Sequence, residues 1–143
     1  MSQVLHLSEV RCEEVPACLG LLTSLTDLTL GVFHPNNDMT PVVHPDLGTL
    51  QQLVRLRLTH SCLHAIPAWV GNLPQLESLV MKNHCFQSDA GDGMLTNAAI
   101  AALLHSTQLT ELRMTRCDLL SLPRELSRLS RLASLRLGES SHL

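Results

Sequence analysis

The sequence predicts an α/β solenoid, a stack of short parallel strands joined by irregular or short helical returns. Three observations predict it. The segment Leu53-Val54-Arg55-Leu56-Arg57-Leu58, followed by Leu63, Ile66, Val70 and Leu73, recurs in phase as Leu109-Thr110-Glu111-Leu112-Arg113-Met114 with Leu119, Leu122, Leu126 and Leu129. The next copies open at Leu76 and Leu132, which sets the unit at 23 residues. Leucine supplies 31 of the 143 residues and aromatics only 2%, so aliphatic packing must build the core.

The units follow in order as one domain over residues 1–143. They run 2–24, 25–52, 53–75, 76–108 and 109–131, with a partial unit at 132–143. The first carries Leu5, Leu7, Cys12, Val15, Pro16, Leu19 and Leu22 at the repeat positions. The second and fourth are longer, at 28 and 33 residues. In each unit the last two apolar residues of the opening segment lie two apart, which puts them on one face of a strand. A lone strand this short cannot bury that face. Stacking the units pairs the strands in parallel and joins the leucine rows into one core. Pro67 and Pro123 lack a backbone donor and suit the first turn of a short helix or an extended return. In the fourth unit Thr96 can cap a helix, and Asn97 to His105 is Ala/Leu-rich, which predicts a two-turn α-helix there. Neither terminal unit reads as a cap, so the ends of the array are expected to be covered by missing repeats or by a partner.

The pattern LxxLxLxx(N/C)xLxxLPxxLxxLxx resembles the leucine-rich repeats. It is most similar to the intracellular 23-residue type with Leu-Pro in its second half, as in Ras-pathway scaffold repeats, with the fourth unit similar to the ribonuclease-inhibitor variety. The resemblance implies a right-handed β-α superhelix with short parallel strands on a concave face and irregular or short helical segments on the convex side. At the ninth position the family usually has Asn, and this chain has Val10, Phe33, Ser61, His84, Cys117 and Ser140. Val10, Phe33 and His84 are poor substitutes, so the first, second and fourth units are expected to turn less regularly.

Residues flanking the strand leucines point away from the core. Between the two strand leucines the column reads His6, Thr29, Arg57, Val80, Arg113 and Arg136. Six of the ten basic residues fall on this face: Arg55, Arg57, Lys82, Arg113, Arg116 and Arg136. With His60 and Val80 they form the candidate protein-binding surface, where Arg forks meet carboxylates or phosphates of a partner. The alternative is a solvated sheet face that needs charge for solubility. Two insertions supply candidate binding loops. Val32 to Val42 is rich in turn formers and offers Phe33, His34, Asn36 and Asp38, and the polar stretch Gln87 to Gly93 offers Asp89 and Asp92. Asp89 to Gly93 lacks the alternating ligands and distal Glu of a calcium loop.

Several classes are excluded or disfavoured. Net charge is −3, with −5 in residues 1–52 and +2 in residues 53–143, so the chain is no general nucleic-acid or membrane coat. Glu77, Glu111 and Glu139 interrupt the basic stripe, and no aromatics interleave for base stacking. No apolar run approaches the roughly 20 residues of a membrane helix. Met1 to Val10 shows no basic-then-apolar leader, and the five cysteines lack CxxC spacing, so an intracellular, cytoplasmic protein with reduced thiols is expected. His60, Cys62, His84 and Cys85 fall at neighbouring repeat positions but lack the tight ligand pairs zinc wants, so neither metal nor cofactor is assigned. No catalytic motif or paired carboxylate stands out. The expected function is a non-catalytic module that binds another protein. The alternatives are a structural subunit of a large multiprotein or ribonucleoprotein assembly, or a recognition segment of a longer receptor or enzyme. Leu58→Asp is expected to unfold the array. An unpaired buried charge costs several kcal/mol against a total of roughly 5–15, and loss of far-ultraviolet circular dichroism is the measurement that checks it.

Overall fold

The computed structural model describes residues 2–33, 42–59, 65–82, 100–116 and 124–138. Its strands are β1 (Val4–Arg11), β2 (Glu14–Val15), β3 (Asp27–Phe33), β4 (Val42–Val43), β5 (Arg55–Thr59), β6 (Ser78–Lys82), β7 (Glu111–Thr115) and β8 (Ser134–Gly138). Six of them form one parallel sheet in the order β1-β3-β5-β6-β7-β8. The register is the one the repeat predicts: Leu5, Leu28, Leu56, Leu79, Leu112 and Leu135 pair in succession across it. The second row pairs Leu7, Leu30, Leu58, Met81, Met114 and Leu137.

Each strand is launched by the unit before it. The carbonyl of Gln3 accepts the N–H groups of both Thr26 and Asp27, at 2.9 and 3.1 Å. The carbonyls of Thr26, Val54, Glu77 and Thr110 each do the same for the next unit, using both lone pairs of one oxygen. This clamp starts every pairing at the same residue, and the side-chain period of two then keeps both leucine rows inward. The middle of the stack is sealed, with Leu56, Leu58, Leu79, Met81, Leu112 and Met114 buried. The last ladder residue, Leu135, is 43% exposed, and Leu5 and Leu7 are half-buried, because each end strand has a neighbour on one side among the described residues.

The returns are 3-10 helices of five residues each: Ala17–Leu21, Pro45–Thr49, Ala68–Asn72, Ala101–His105 and Arg124–Arg128. Their leucines recur every third residue. In a helix of three residues per turn such side chains eclipse and share one face. Leu50 N–H bonds Leu47 O, and Leu53 N–H bonds Leu50 O, which carries the chain from helix to strand with all three leucines buried. Pro16 and Pro67 stand just before their helices in extended backbone, and Pro45 opens its own, where a missing N–H costs nothing. The two-turn α-helix expected over Asn97 to His105 is not seen in its described part. Apart from Ile100 that part is 3-10, because Leu103, Ser106 and Leu109 keep the three-residue spacing through N–H bonds from Ser106 to Leu103 O and from Leu109 to Ser106 O. Residues 96–99 lie outside the described residues.

The sheet strands of the first two units are longer than those of the later ones. They run on to Arg11 and Phe33, past the point where β5 to β8 stop. Phe33, expected in a loop, therefore ends β3 and pairs with Arg11. For β3 the reason lies one residue earlier. Glu9 and Arg116 occupy the eighth position of their units and have positive φ, 57° and 52°. Val32 holds that position in the second unit, and a β-branched residue resists this conformation. Val32 stays extended opposite Val10, and β1 accommodates the mismatch by a register shift between Leu7 and Val10. Val42 and Val43, at the far side of the same insertion, form a further parallel pair with Glu14 and Val15.

A line of glycines spaces the helical layer. Gly20, Gly48 and Gly71 are the fourth residues of three successive helices, and each faces the helix of the next unit. A Cβ on Gly20 would stand 2.4 Å from Asp46 O, and one on Gly71 2.6 Å from Ala102 O. On Gly48 the nearest atom would be the Trp69 Cβ at 3.3 Å. The fourth helix has Leu104 at this place, and its packing on Arg124–Arg128 is much thinner. Gly20→Ala and Gly71→Ala are each expected to destabilise the chain by about 1–3 kcal/mol through overpacking against backbone. Gly48→Ala should cost less than either, and urea unfolding midpoints of the three variants test the order.

Candidate functional site

The sheet face opposite the core presents three columns of side chains in strict register. The central one is His6, Thr29, Arg57, Val80, Arg113 and Arg136, as the repeat predicts. Beside it run Val4, Asp27, Arg55, Ser78, Glu111 and Ser134, and on the other side Thr59, Lys82 and Thr115. A concavity of about 210 Å³ opens over the middle of this face, between Asp27, Arg55, Arg57, Val80, Glu111 and Arg113. Val80 is 7% exposed and makes its apolar floor.

The charges on this face are unequal in their pairing. Asp27 Oδ1 accepts from Arg55 at 2.8 Å, and its Oδ2 accepts from the Thr26 hydroxyl at 2.8 Å. Burial pushes the Asp27 carboxyl up. The guanidinium of Arg55 and the Thr26 hydroxyl bonded to it, with the charges of Arg55 and His6, outweigh burial and hold it below the ordinary carboxylate value. Glu111 also has partners on this face. Its Oε2 accepts from the Ser78 hydroxyl at 2.8 Å, and Oε1 sits 3.4 Å from an Arg113 terminal nitrogen. Arg113 Nε is buried with no hydrogen-bond partner among the described residues. Arg57, Lys82 and Arg136 are exposed, and among the described residues none of them has an ion pair.

The expected residues thus separate into three groups. Arg57, Val80, Arg113 and Arg136 share one column, with Arg55 and Lys82 in the columns to either side. Arg116 lies just beyond β7, exposed, with its left-handed backbone donating its N–H to Gly138 O at 3.1 Å. His60, His34, Asn36, Asp38, Asp89 and Asp92 lie outside the described residues, as do Cys62, His84 and Cys85. The Asp27–Arg55 and Ser78–Glu111 contacts were not foreseen. Their signal was available, because each pair sits at the third position of neighbouring units.

Two solved structures resemble this chain. Internalin C2 of Listeria monocytogenes superposes with a TM-score of 0.53 at 18% identity, over 86% of this chain and 56% of its own. A leucine-rich-repeat protein of Leptospira interrogans gives 0.53 at 20% identity, over 95% of this chain and 37% of its own. The fold is that of a leucine-rich-repeat solenoid. The chain spans about half of the first repeat protein and little more than a third of the second. No family profile and no curated protein sequence matches it. Among the described residues no helix of this leucine-rich-repeat chain is long and apolar enough to cross a membrane.

The depressed Asp27 carboxyl has a pH consequence. Its folded value lies below its unfolded one, so its contribution is present above the unfolded value, about 3.9. It is lost as pH falls through the folded value. Urea midpoints are expected to fall on acidification below about pH 4. Asp27→Asn should remove part of that slope and lower the midpoint at pH 7; an unchanged profile would show that the pair contributes nothing.

Proposed function

We propose that this chain is a non-catalytic protein-interaction module that takes a partner protein on the open face of its sheet. The observation that carries this reading is the central column. Arg57 and Arg113 flank apolar Val80, and Arg136 follows Arg113, on strands fixed by continuous backbone pairing. A face of this kind is pre-organised, so a partner loses little entropy in ordering it. Arg55, Lys82, His60 and Arg116 extend the surface in this proposal. The two insertions, with His34, Asn36 and Asp38 in one and Asp89 and Asp92 in the other, supply further binding loops in this proposal. The Leu-Pro type of repeat and the free thiols of Cys12 and Cys18 support an intracellular, cytoplasmic setting.

A second reading is favoured by the exposed apolar residues Val4, Leu21 and Leu135 in the end units. In that reading the chain is a segment of a larger assembly, with further repeats or a subunit stacked on its ends. A photo-crosslinking residue at Thr29 or Ser134, on the open face, is expected to give a discrete adduct in lysate of the source cells. The same residue at Ser127 or Arg128, on the helical layer, should give none. Adducts of equal yield from both layers overturn the face assignment, and adducts confined to a crosslinker at Leu21 or Leu135 favour the end-stacked assembly.

A further inference from the structure

The open face also indicates the chemistry of its occupant. We propose that the partner contributes an extended, carboxylate-rich segment that lies across the strands, with acidic side chains on Arg57, Arg113 and Arg136. This rests on the protein-binding reading above and adds what the partner presents.

Charge bookkeeping along the columns comes first. Asp27 satisfies Arg55 at 2.8 Å, and Glu111 is shared between Ser78 and Arg113. In the central column the remaining positive charge lies on Arg57 and Arg136, which are exposed and, like Lys82 in the flanking column, without an acidic partner among the described residues. Arg113 is only partly met, by a 3.4 Å contact, and its Nε has no acceptor among the described residues. Arg113 and Arg136 are moreover direct register neighbours. Like charges placed opposite each other on paired strands repel. A carboxylate between them removes that repulsion and accepts from both forks.

Spacing comes second. Arg57 and Arg136 are three strand steps apart, roughly 14 Å at about 4.8 Å per step. In an extended peptide alternate side chains recur about every 6.7 Å, so three alternating carboxylates span roughly 13 Å. The middle one falls between Val80 and Arg113, within reach of the Arg113 guanidinium. The apolar floor there suits the methylene stem of a glutamate better than a bare phosphate. Nucleic acid fits poorly, because no aromatic side chain occupies the columns for base stacking.

The test titrates fluorescein-labelled Glu-Ala-Glu-Ala-Glu with the 143-residue chain and reads anisotropy. Salt is set at about 50 and then about 200 mM, which shortens the screening length. Saturable binding that weakens with salt is expected. Arg57→Glu with Arg136→Glu should raise Kd at least about tenfold. Arg124→Glu with Arg128→Glu removes the same charge from the helical layer and should change Kd less than about twofold. Melting curves confirm that each variant folds, and Arg57→Gln with Arg136→Gln replaces the first pair if it does not. Equal weakening by both pairs reduces the effect to net charge and overturns the proposal. So does absence of binding at low salt, or tighter binding of a peptide whose sole anion is one phosphoserine. If face adducts from Thr29 persist in the Arg57→Glu, Arg136→Glu chain, the acidic segment is wrong while protein binding stands. If no face adduct forms at all, the protein-binding reading fails by itself.

Discussion

Everything in this molecule depends on one repeated clamp, a single carbonyl near the start of each unit that accepts two N–H groups from the next. It fixes where each strand begins. From that point the alternation of side chains decides which residues enter the core and which face outward. A slip of one residue at any clamp would turn a leucine row into solvent and bring an arginine inward. The clamp cannot act alone, since a five-residue strand holds too little apolar surface to be stable. Clamp and ladder therefore support each other, and only the stack as a whole is a folded object.

The same register that packs the core also composes the outer face. Residues 23 to 33 positions apart in sequence become lateral neighbours at a spacing set by backbone hydrogen bonds. Asp27 meets Arg55 and Glu111 meets Ser78 across such separations, while Arg113 reaches Glu111 from two residues along the same strand. These pairs neutralise one side of the face. The central column is left with cations flanking a valine, and its chemistry follows from that imbalance more than from any single side chain.

Much of this was legible in the sequence, because the repeat carries its own register. Aligning the units places Leu28, Leu56, Leu79, Leu112 and Leu135 side by side, and it places Arg57, Arg113 and Arg136 in one column. The parts that escaped depend on something other than the leucine period. The 3-10 form of the returns follows from a spacing of three that also suits the first turn of an α-helix. Phe33 belongs to a strand because Val32 stays extended at the position where Arg116 leaves β7 through a left-handed backbone. The β2–β4 pair joins residues across an insertion of turn-forming composition, where Val42 and Val43 were the only strand-like signal. Gly20, Gly48 and Gly71 recur in phase with the leucines, but their meaning appears only once the neighbouring helix is seen to lie where a Cβ would be.

That glycine line fixes how the two layers of the stack compare in width. Strand spacing is constant, because hydrogen bonds set it at about 4.8 Å. Spacing in the helical layer depends on side-chain size. Across the first four units glycine lets the helices approach until backbone and Cβ atoms touch. At Leu104 the line of glycines ends, and contact between the helical segments of the fourth and fifth units is thinner, while the strands of those units stay paired. The outer layer is therefore held most closely over the first four units, while the inner layer is paired along its whole described length.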